Sequence, residues 1–151
     1  MSSDWKRLRQ ELAYTAPGLL LPEPKVEADR LTEAFSAAAL FEAEGDQAQR
    51  TRILRAVLAV AAPRAGVDDD NEARIARVKA HAGLGEKESA LTELRAAVDA
   101  GYRTLWNIDL IRLERDPTLA TLRTDPAFRA VVARVEEDLR RQRDQVLGSR
   151  R

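Results

Sequence analysis

Helix-forming segments separated by glycine or proline are the feature that most constrains this sequence. Within a segment, apolar residues recur every three or four positions, as Leu31, Phe35, Ala38 and Phe41 do. This spacing places them on one face of an α-helix. Runs rich in Val, Ile, Thr and Tyr with alternating polarity, which are typical of β-strands, are absent from the sequence. The pattern therefore predicts an all-α protein of about six or seven helices.

Capping signals and breaks set the predicted helix boundaries. Asp116-Pro117 and Asp125-Pro126 each place an N-cap aspartate before a first-turn proline, which favours a helix start. The segments 15–25 and 102–115 are predicted to be irregular, the second with one helical turn. Leu19, Leu20 and Leu21 should pack onto neighbouring helices, since three exposed leucines in a row would be costly. The predicted helices span about residues 4–14, 24–44, 47–62, 71–82, 86–100, 118–123 and 126–147.

Composition excludes several classes of function. The chain has 151 residues, enough for one domain, and its 25 basic and 25 acidic residues cancel. A domain whose main task is to bind nucleic acid or an anionic membrane would carry an excess of positive charge, so we expect no direct nucleic-acid contact. The absence of cysteine excludes disulfides, thiolate zinc sites, iron–sulfur clusters and cysteine nucleophiles.

The sequence also bears on location. No apolar run approaches the roughly 18–20 residues that a membrane span needs. The N-terminal segment MSSDWKRLRQELAY is charged and lacks the apolar stretch of a secretion signal. We therefore expect a cytoplasmic protein, or a periplasmic one if the chain belongs to a membrane-anchored regulator.

Two segments of the chain resemble each other at an offset of 40 residues. When Gly45 is placed on Gly85, FEAEGDQAQRTRILRAVLAVA aligns with HAGLGEKESALTELRAAVDAG. Each segment then contains a helix, a glycine turn and a second helix, and Leu54 matches Leu94. Fixed-period similarity of this kind indicates stacked helical hairpins. The predicted repeat units cover about residues 27–63 and 70–101.

The second unit resembles a tetratricopeptide repeat (TPR). LGEKESALTELRAAV is similar to the Leu-Gly turn of that family, followed by Ala90, Leu94 and Ala97 in the second helix. The family period is about 34 residues, and the excess fits the loop RAGVDDD. The first unit departs from the pattern at Arg50, where the family usually has alanine, and the second lacks a proline near Tyr102.

The C-terminal part resembles a segment that follows the last repeat in many bacterial TPR proteins. There the repeats often lie C-terminal to a winged-helix domain, a kinase or a membrane anchor. The resemblance implies a TPR-like α-α superhelix of residues 27–147, with a capping segment over 102–147 that contains a long final helix. Residues 1–26 form an N-terminal helix and connector in this interpretation, and residues 148–151 a frayed tail. The matching positions are Gly101, Tyr102, Asp116, Pro117, Leu119, Leu122, Arg123, Asp125, Pro126 and Phe128.

Candidate metal and nucleotide sites are better explained by structure. His81 is the sole histidine and has no ligand type four residues away on either side, which favours packing over metal binding. The acids from Asp68 to Asp70 lack the glycine that a calcium loop requires, and favour helix capping instead. A helix rather than a strand precedes Gly83-Leu84-Gly85, which argues against a dinucleotide site. We therefore predict no metal, no cofactor and no catalytic residue.

Basic and aromatic residues are also assigned to structure at this stage. The arginines near the C-terminus, among them Arg140 and Arg143, interleave with acids, as on a solvated helix face. Trp5 shares a stripe with Leu8 and Leu12 and should pack in the core. Trp106 lies in an irregular segment, where a surface role is the alternative to burial.

The function predicted from this sequence is that of a non-catalytic protein–protein interaction module. Stacked helix pairs form a concave surface that can hold a peptide or a helix of a partner protein. Repeat positions place Thr32, Glu42, Glu72 and Lys79 on that surface as the candidate partner-binding residues. The alternative is the C-terminal regulatory or sensor portion of a longer bacterial transcription regulator or signalling protein. Homodimerisation could shield the ends of so short a repeat array.

Overall fold

The computed structural model describes residues 3–64, 70–101 and 115–148. These ranges contain six α-helices and no strand, so the predicted all-α class is confirmed, as is the long C-terminal helix. Three short 3₁₀ helices cover Pro17–Leu20, Ala28–Arg30 and Pro117–Leu122. The α-helices are α1 (Ser3–Thr15), α2 (Leu31–Glu44), α3 (Gln47–Val60), α4 (Asn71–Gly83), α5 (Lys87–Asp99) and α6 (Pro126–Gly148).

The connector between α1 and α2 corrects the sequence prediction in two places. The second helix begins at Leu31 rather than at Pro24, because the backbone is extended at Glu27, with φ −107° and ψ 146°. The 3₁₀ helix Pro17–Leu20 forms where no regular structure was expected, and Lys25 N–H donates to the Gly18 carbonyl at 3.0 Å. This bond closes the connector into a loop that leaves no room for an early helix.

The three leucines of this connector are not equivalent. Leu19 is 1% exposed and Leu20 packs against the same core, as predicted, but Leu21 is 44% exposed. Leu21 instead contributes its carbonyl, which accepts a hydrogen bond from the buried side-chain amide of Gln49 on α3. The prediction for Leu21 was therefore wrong. Most of the predicted loop over 102–115 lies outside the described residues.

The turn between α2 and α3 is a Schellman motif. Gly45 has φ +79°, its N–H donates to the Glu42 carbonyl at 3.1 Å, and Asp46 N–H donates to the Phe41 carbonyl at 2.9 Å. These bonds satisfy two carbonyls that the end of α2 would otherwise leave unpaired. The Asp46 side chain then accepts from the backbone N–H of Gln49 at 2.9 Å and caps α3. The short turn folds α3 back against α2.

The turn between α4 and α5 repeats this geometry 40 residues later. Gly85 has φ +78°, its N–H donates to the Ala82 carbonyl at 3.1 Å, and Glu86 N–H donates to the His81 carbonyl at 2.9 Å. The same two hydrogen bonds thus close both hairpins, and Leu54 and Leu94 are buried at matching places in their second helices. The structure therefore contains two helical hairpins in tandem.

Helix packing follows the order of the chain. Among the described elements, α1 packs on α2, α2 on α3, α3 on α4, α4 on α5 and α5 on α6, while the 3₁₀ helix Pro117–Leu122 packs on α4. Two apolar clusters result, one joining α1 to α3 and the other joining α5, α6 and Pro117–Leu122. Helix α4 contributes to both clusters, with Ala76 and Ala80 in the first and Val78 and Ala82 in the second.

A buried arginine links three consecutive helices. Arg77 on α4 is 5% exposed. Its guanidinium donates to the Ala61 carbonyl at the end of α3 at 2.7 Å and to the Glu93 carboxylate on α5 at 2.9 Å. A guanidinium is a planar group with several donors, so it can serve two acceptors on opposite sides. Arg77 thereby fixes the position of α4 between the two hairpins.

The glycines of the two turns should be sensitive to substitution for a backbone reason alone. We expect Gly45→Ala and Gly85→Ala each to lower the free energy of unfolding by about 1–2 kcal/mol, because a Cβ disfavours positive φ. A Cβ at either position meets no other atom within 4 Å. Urea unfolding followed by circular dichroism measures the effect.

Gly148→Ala is the matched control, because Gly148 is also in open space but lies in α6 without positive φ. We expect it to change stability by less than about 0.5 kcal/mol. Equal tolerance of alanine at positions 45, 85 and 148 would contradict the turn assignment.

Candidate functional site: the groove between α2 and α4

The first helices of the two hairpins line one groove, and they do so with equivalent residues. Positions 40 residues apart on α2 and α4 face each other across it. We call this surface the α2–α4 groove. Both members of each pair line the groove, and the pairs are Leu31 and Asn71, Thr32 and Glu72, Phe35 and Ile75, Ala39 and Lys79, and Glu42 and Ala82.

The groove consists of two adjoining clefts. The first, of about 350 Å³, lies near the N-terminal ends of α2 and α4. The second, of about 230 Å³, is closed at its far end by residues of the Pro117–Leu122 helix. Phe35 and Lys79 line both clefts and so form the boundary between them. These volumes suit individual side chains of a peptide better than a complete cofactor.

The floor of the groove is apolar and its rim is polar. Leu31, Phe35 and Ile75 are half-buried and line the first cleft, while Thr32 and Glu72 at the same end are exposed. Apolar side chains that remain partly open to water in a concave surface favour the binding of another apolar group.

The structure brings all four sequence-predicted residues into this groove. Thr32, Glu72 and Lys79 line the first cleft, and Glu42 and Lys79 line the second. Thr32 and Glu72 occupy equivalent positions of the two hairpins. Glu42 lies ten residues further along α2, on the rim of the second cleft.

Lys79 is held firmly at the centre of the groove. Its Nζ lies 3.0 Å from Oδ2 of Asp116 and 5.8 Å from the centroid of the Phe35 ring. Asp116 is 5% exposed, and its Oδ1 also accepts from the backbone N–H of Thr118 at 2.9 Å. The predicted Asp-Pro helix start is therefore present, and its cap carboxylate also anchors a groove lysine.

The environment of Asp116 favours its charged form. Burial acts to raise the pKa of this carboxyl, but hydrogen bonds from Thr118 and the charge of Lys79 outweigh burial and lower the pKa below its usual value. Substitution of Lys79 would consequently leave a buried carboxylate without its cation. Lys79 therefore has a structural role in addition to its place in the groove.

The second basic group of the groove is also paired. Arg50 Nε on α3 lies 3.5 Å from Oε2 of Glu42, and the guanidinium is only about one-fifth exposed. Arg50 is the residue at which the first unit departs from the TPR pattern. It lines the second cleft together with Leu54 and Gly83, so this departure changes the chemistry of the groove.

Sequence reasoning missed part of the site. Phe35 and Leu31 were assigned to the same apolar stripe as Ala38 and Phe41, yet the first two lie in the groove and the last two are buried. The nearly continuous apolar character of α2 was the available signal, since a helix that packs on one side needs only one apolar face. The pairing of Lys79 with Asp116 had no local sequence signal.

His81 is partly buried and its ring takes part in the second hairpin turn. Its Nδ1 lies 2.6 Å from Oε2 of Glu86, and Oε1 of Glu86 lies 2.5 Å from Arg55 of α3. Hydrogen bonds from His81 and then Arg55 lower the pKa of the Glu86 carboxyl. In a Schellman motif these two positions usually make an apolar contact, which a polar contact replaces here.

The other candidates have structural partners where they are described. Asp70 caps α4 by accepting from the backbone N–H of Ala73 at 2.6 Å, and Asp68 and Asp69 lie outside the described residues. Arg140 and Arg141 both pair with Glu137. Trp5 packs against the first apolar cluster, and Trp106 lies outside the described residues.

Searches for metal and membrane features gave negative results over the described ranges. There, no three His, Asp or Glu side chains come together as a group that could hold a metal ion. None of the helices described combines the length and the apolar character required to cross a membrane.

Asp116 should make the stability of the fold depend on pH in the acid range. Its lowered pKa means that the charged carboxylate stabilises the folded state above about pH 4, the range of an unfolded aspartate, and that this contribution is lost as pH falls through the folded-state pKa. We expect Asp116→Asn to be less stable than the wild type at pH 7. The difference should shrink as the pH is lowered below about 4.

Urea unfolding of both proteins between pH 2.5 and 7 measures this difference. In Lys79→Met, where one cause of the lowered pKa is removed, the acid loss should begin at a higher pH. A difference between wild type and Asp116→Asn that stays constant over the whole range would contradict the assigned role.

Comparison with known proteins adds no relative to this geometry. No protein-family model, no curated protein and no solved structure matches the chain. The TPR resemblance therefore stays a prediction.

Proposed function

We propose that this protein is a non-catalytic interaction module that binds a peptide segment of a partner protein in the α2–α4 groove. The observation that carries the proposal is the pairing of equivalent residues from two tandem hairpins along one groove with an apolar floor. A surface built by repetition can bind an extended ligand, because each hairpin offers similar contacts to successive parts of it.

The dimensions of the groove suit a short peptide. Thr32 and Glu42 are ten residues apart on α2, which corresponds to roughly 15 Å at 1.5 Å per residue. An extended peptide covers that length with four or five residues at roughly 3.3 Å each. Phe35 and Ile75 would contact an apolar side chain of the peptide, and the polar rim would contact its backbone.

The chemistry of the groove supports binding rather than catalysis. Its described hydroxyl groups, such as that of Thr32, have no histidine or cysteine beside them among the lining residues. The Lys79 ammonium is paired with Asp116 and lies against the Phe35 ring. A nucleophile needs an adjacent base or a site that lowers its pKa, and neither feature surrounds these groups.

Selection from a random 12-residue peptide library displayed on phage tests the proposal. The immobilised full chain should enrich peptides that share an apolar anchor. Thr32→Arg should abolish this enrichment, because Thr32 is exposed at the rim and a long side chain there would fill the first cleft. Lys79 is left unchanged in this experiment because of its bond to the buried Asp116.

Thr92→Arg is the matched control, since Thr92 is an exposed threonine on α5 that does not line the groove. It should leave the enrichment intact, and both variants should keep the wild-type circular dichroism melt. Failure of the wild type to enrich any shared sequence, or equal enrichment by Thr32→Arg, would refute the proposal.

A further inference from the structure

We infer that the peptide bound in the α2–α4 groove carries a lysine or arginine next to its apolar anchor, and that Glu72 pairs with this basic side chain. The inference rests on the proposed function and specifies its ligand. It follows from the charges that line the groove and from how they are already paired within the protein.

The basic groups of the groove are matched by the protein's own acids. Lys79 lies 3.0 Å from Asp116, and Arg50 lies 3.5 Å from Glu42. The acid of the first cleft, Glu72, makes no ion pair with any residue in the described part of the chain. With these two pairs cancelled, Glu72 leaves the first cleft with a net negative charge.

The position of Glu72 suits it to contact a ligand. It lies in the first turn of α4, is exposed to solvent and borders the cleft whose floor contains Leu31 and Ile75. An apolar side chain on that floor would bring the neighbouring residue of the peptide to the rim. A cationic side chain there would approach Glu72 and gain from its charge, the more so as the peptide excludes water.

An acidic peptide would meet the opposite situation. Its carboxylate would be repelled by Glu72 at the rim, and it could reach Lys79 only in competition with Asp116, which is 5% exposed and hydrogen-bonded to Thr118. Breaking that buried pair would leave Asp116 without its cation, which is costly. Charge complementarity therefore favours a basic-apolar segment.

The same phage library tests this inference with a charge reversal. The wild type should enrich peptides with Lys or Arg within two positions of the apolar anchor, and Glu72→Lys should reverse this preference towards Asp or Glu. Glu88→Lys is the matched control, since Glu88 is an exposed acid in the first turn of α5 that does not line the groove. It should retain the preference of the wild type.

Fluorescence polarisation with one selected peptide then measures the pair directly. Replacing its basic residue by glutamine should weaken binding to the wild type roughly two- to five-fold, as for an exposed ion pair. The same replacement should leave binding to Glu72→Gln unchanged.

The outcomes separate this inference from the proposed function. Enrichment of apolar peptides without a basic preference, or with an acidic one, would overturn the inference and leave the peptide-binding module standing. An equal effect of the peptide substitution on the wild type and on Glu72→Gln would also overturn it. No enrichment at all would refute the proposed function itself.

Discussion

The packing of α4 on two faces is the constraint on which the rest of this structure depends. Ala76 and Ala80 belong to the apolar cluster shared with α1 to α3, and Val78 and Ala82 to the cluster shared with α5, α6 and the Pro117–Leu122 helix. Small side chains on both faces allow the neighbouring helices to approach closely. The two hairpins are therefore joined through a shared helix, and neither has a complete apolar core without α4.

The polar interactions of α4 reinforce this arrangement and also shape the groove. Arg77 binds the end of α3 and a carboxylate of α5, and Lys79 binds Asp116 at the start of the Pro117–Leu122 helix. Both are side chains that seldom lie in a protein interior without a partner. Because Lys79 is committed to Asp116, the groove has an apolar floor and one acid that remains available at its rim.

The sequence predicted the local structure well where one short-range signal dominated. Gly45 and Gly85 correctly marked the two turns, because a residue with positive φ after a helix strongly favours glycine. Asp116 and Asp125 likewise cap the elements that follow them. The start of α2 was misplaced because Pro24 is compatible with a helix start, and the bond between Lys25 and Gly18 that closes the connector joins residues from outside that helix.

The candidate site was predictable only in part, for a related reason. The 40-residue offset was sufficient to place Thr32 and Glu72 at facing positions, since it requires only that the two hairpins stack in register. It carried no information on which apolar face of α2 meets α3 and which meets the groove, so Leu31 and Phe35 were assigned to the core. The partner of Lys79 is 37 residues away, in an element beyond the second hairpin.

Amide hydrogen exchange along α4 tests most directly whether this helix joins the two hairpins into one unit. The account predicts that the amides of Val78 and Ala80 exchange only through global unfolding, with the same opening free energy as that obtained from urea unfolding. Exchange of these amides at a clearly lower free energy than those of α3 and α5 would contradict it, because α4 would then open while both hairpin partners stayed folded.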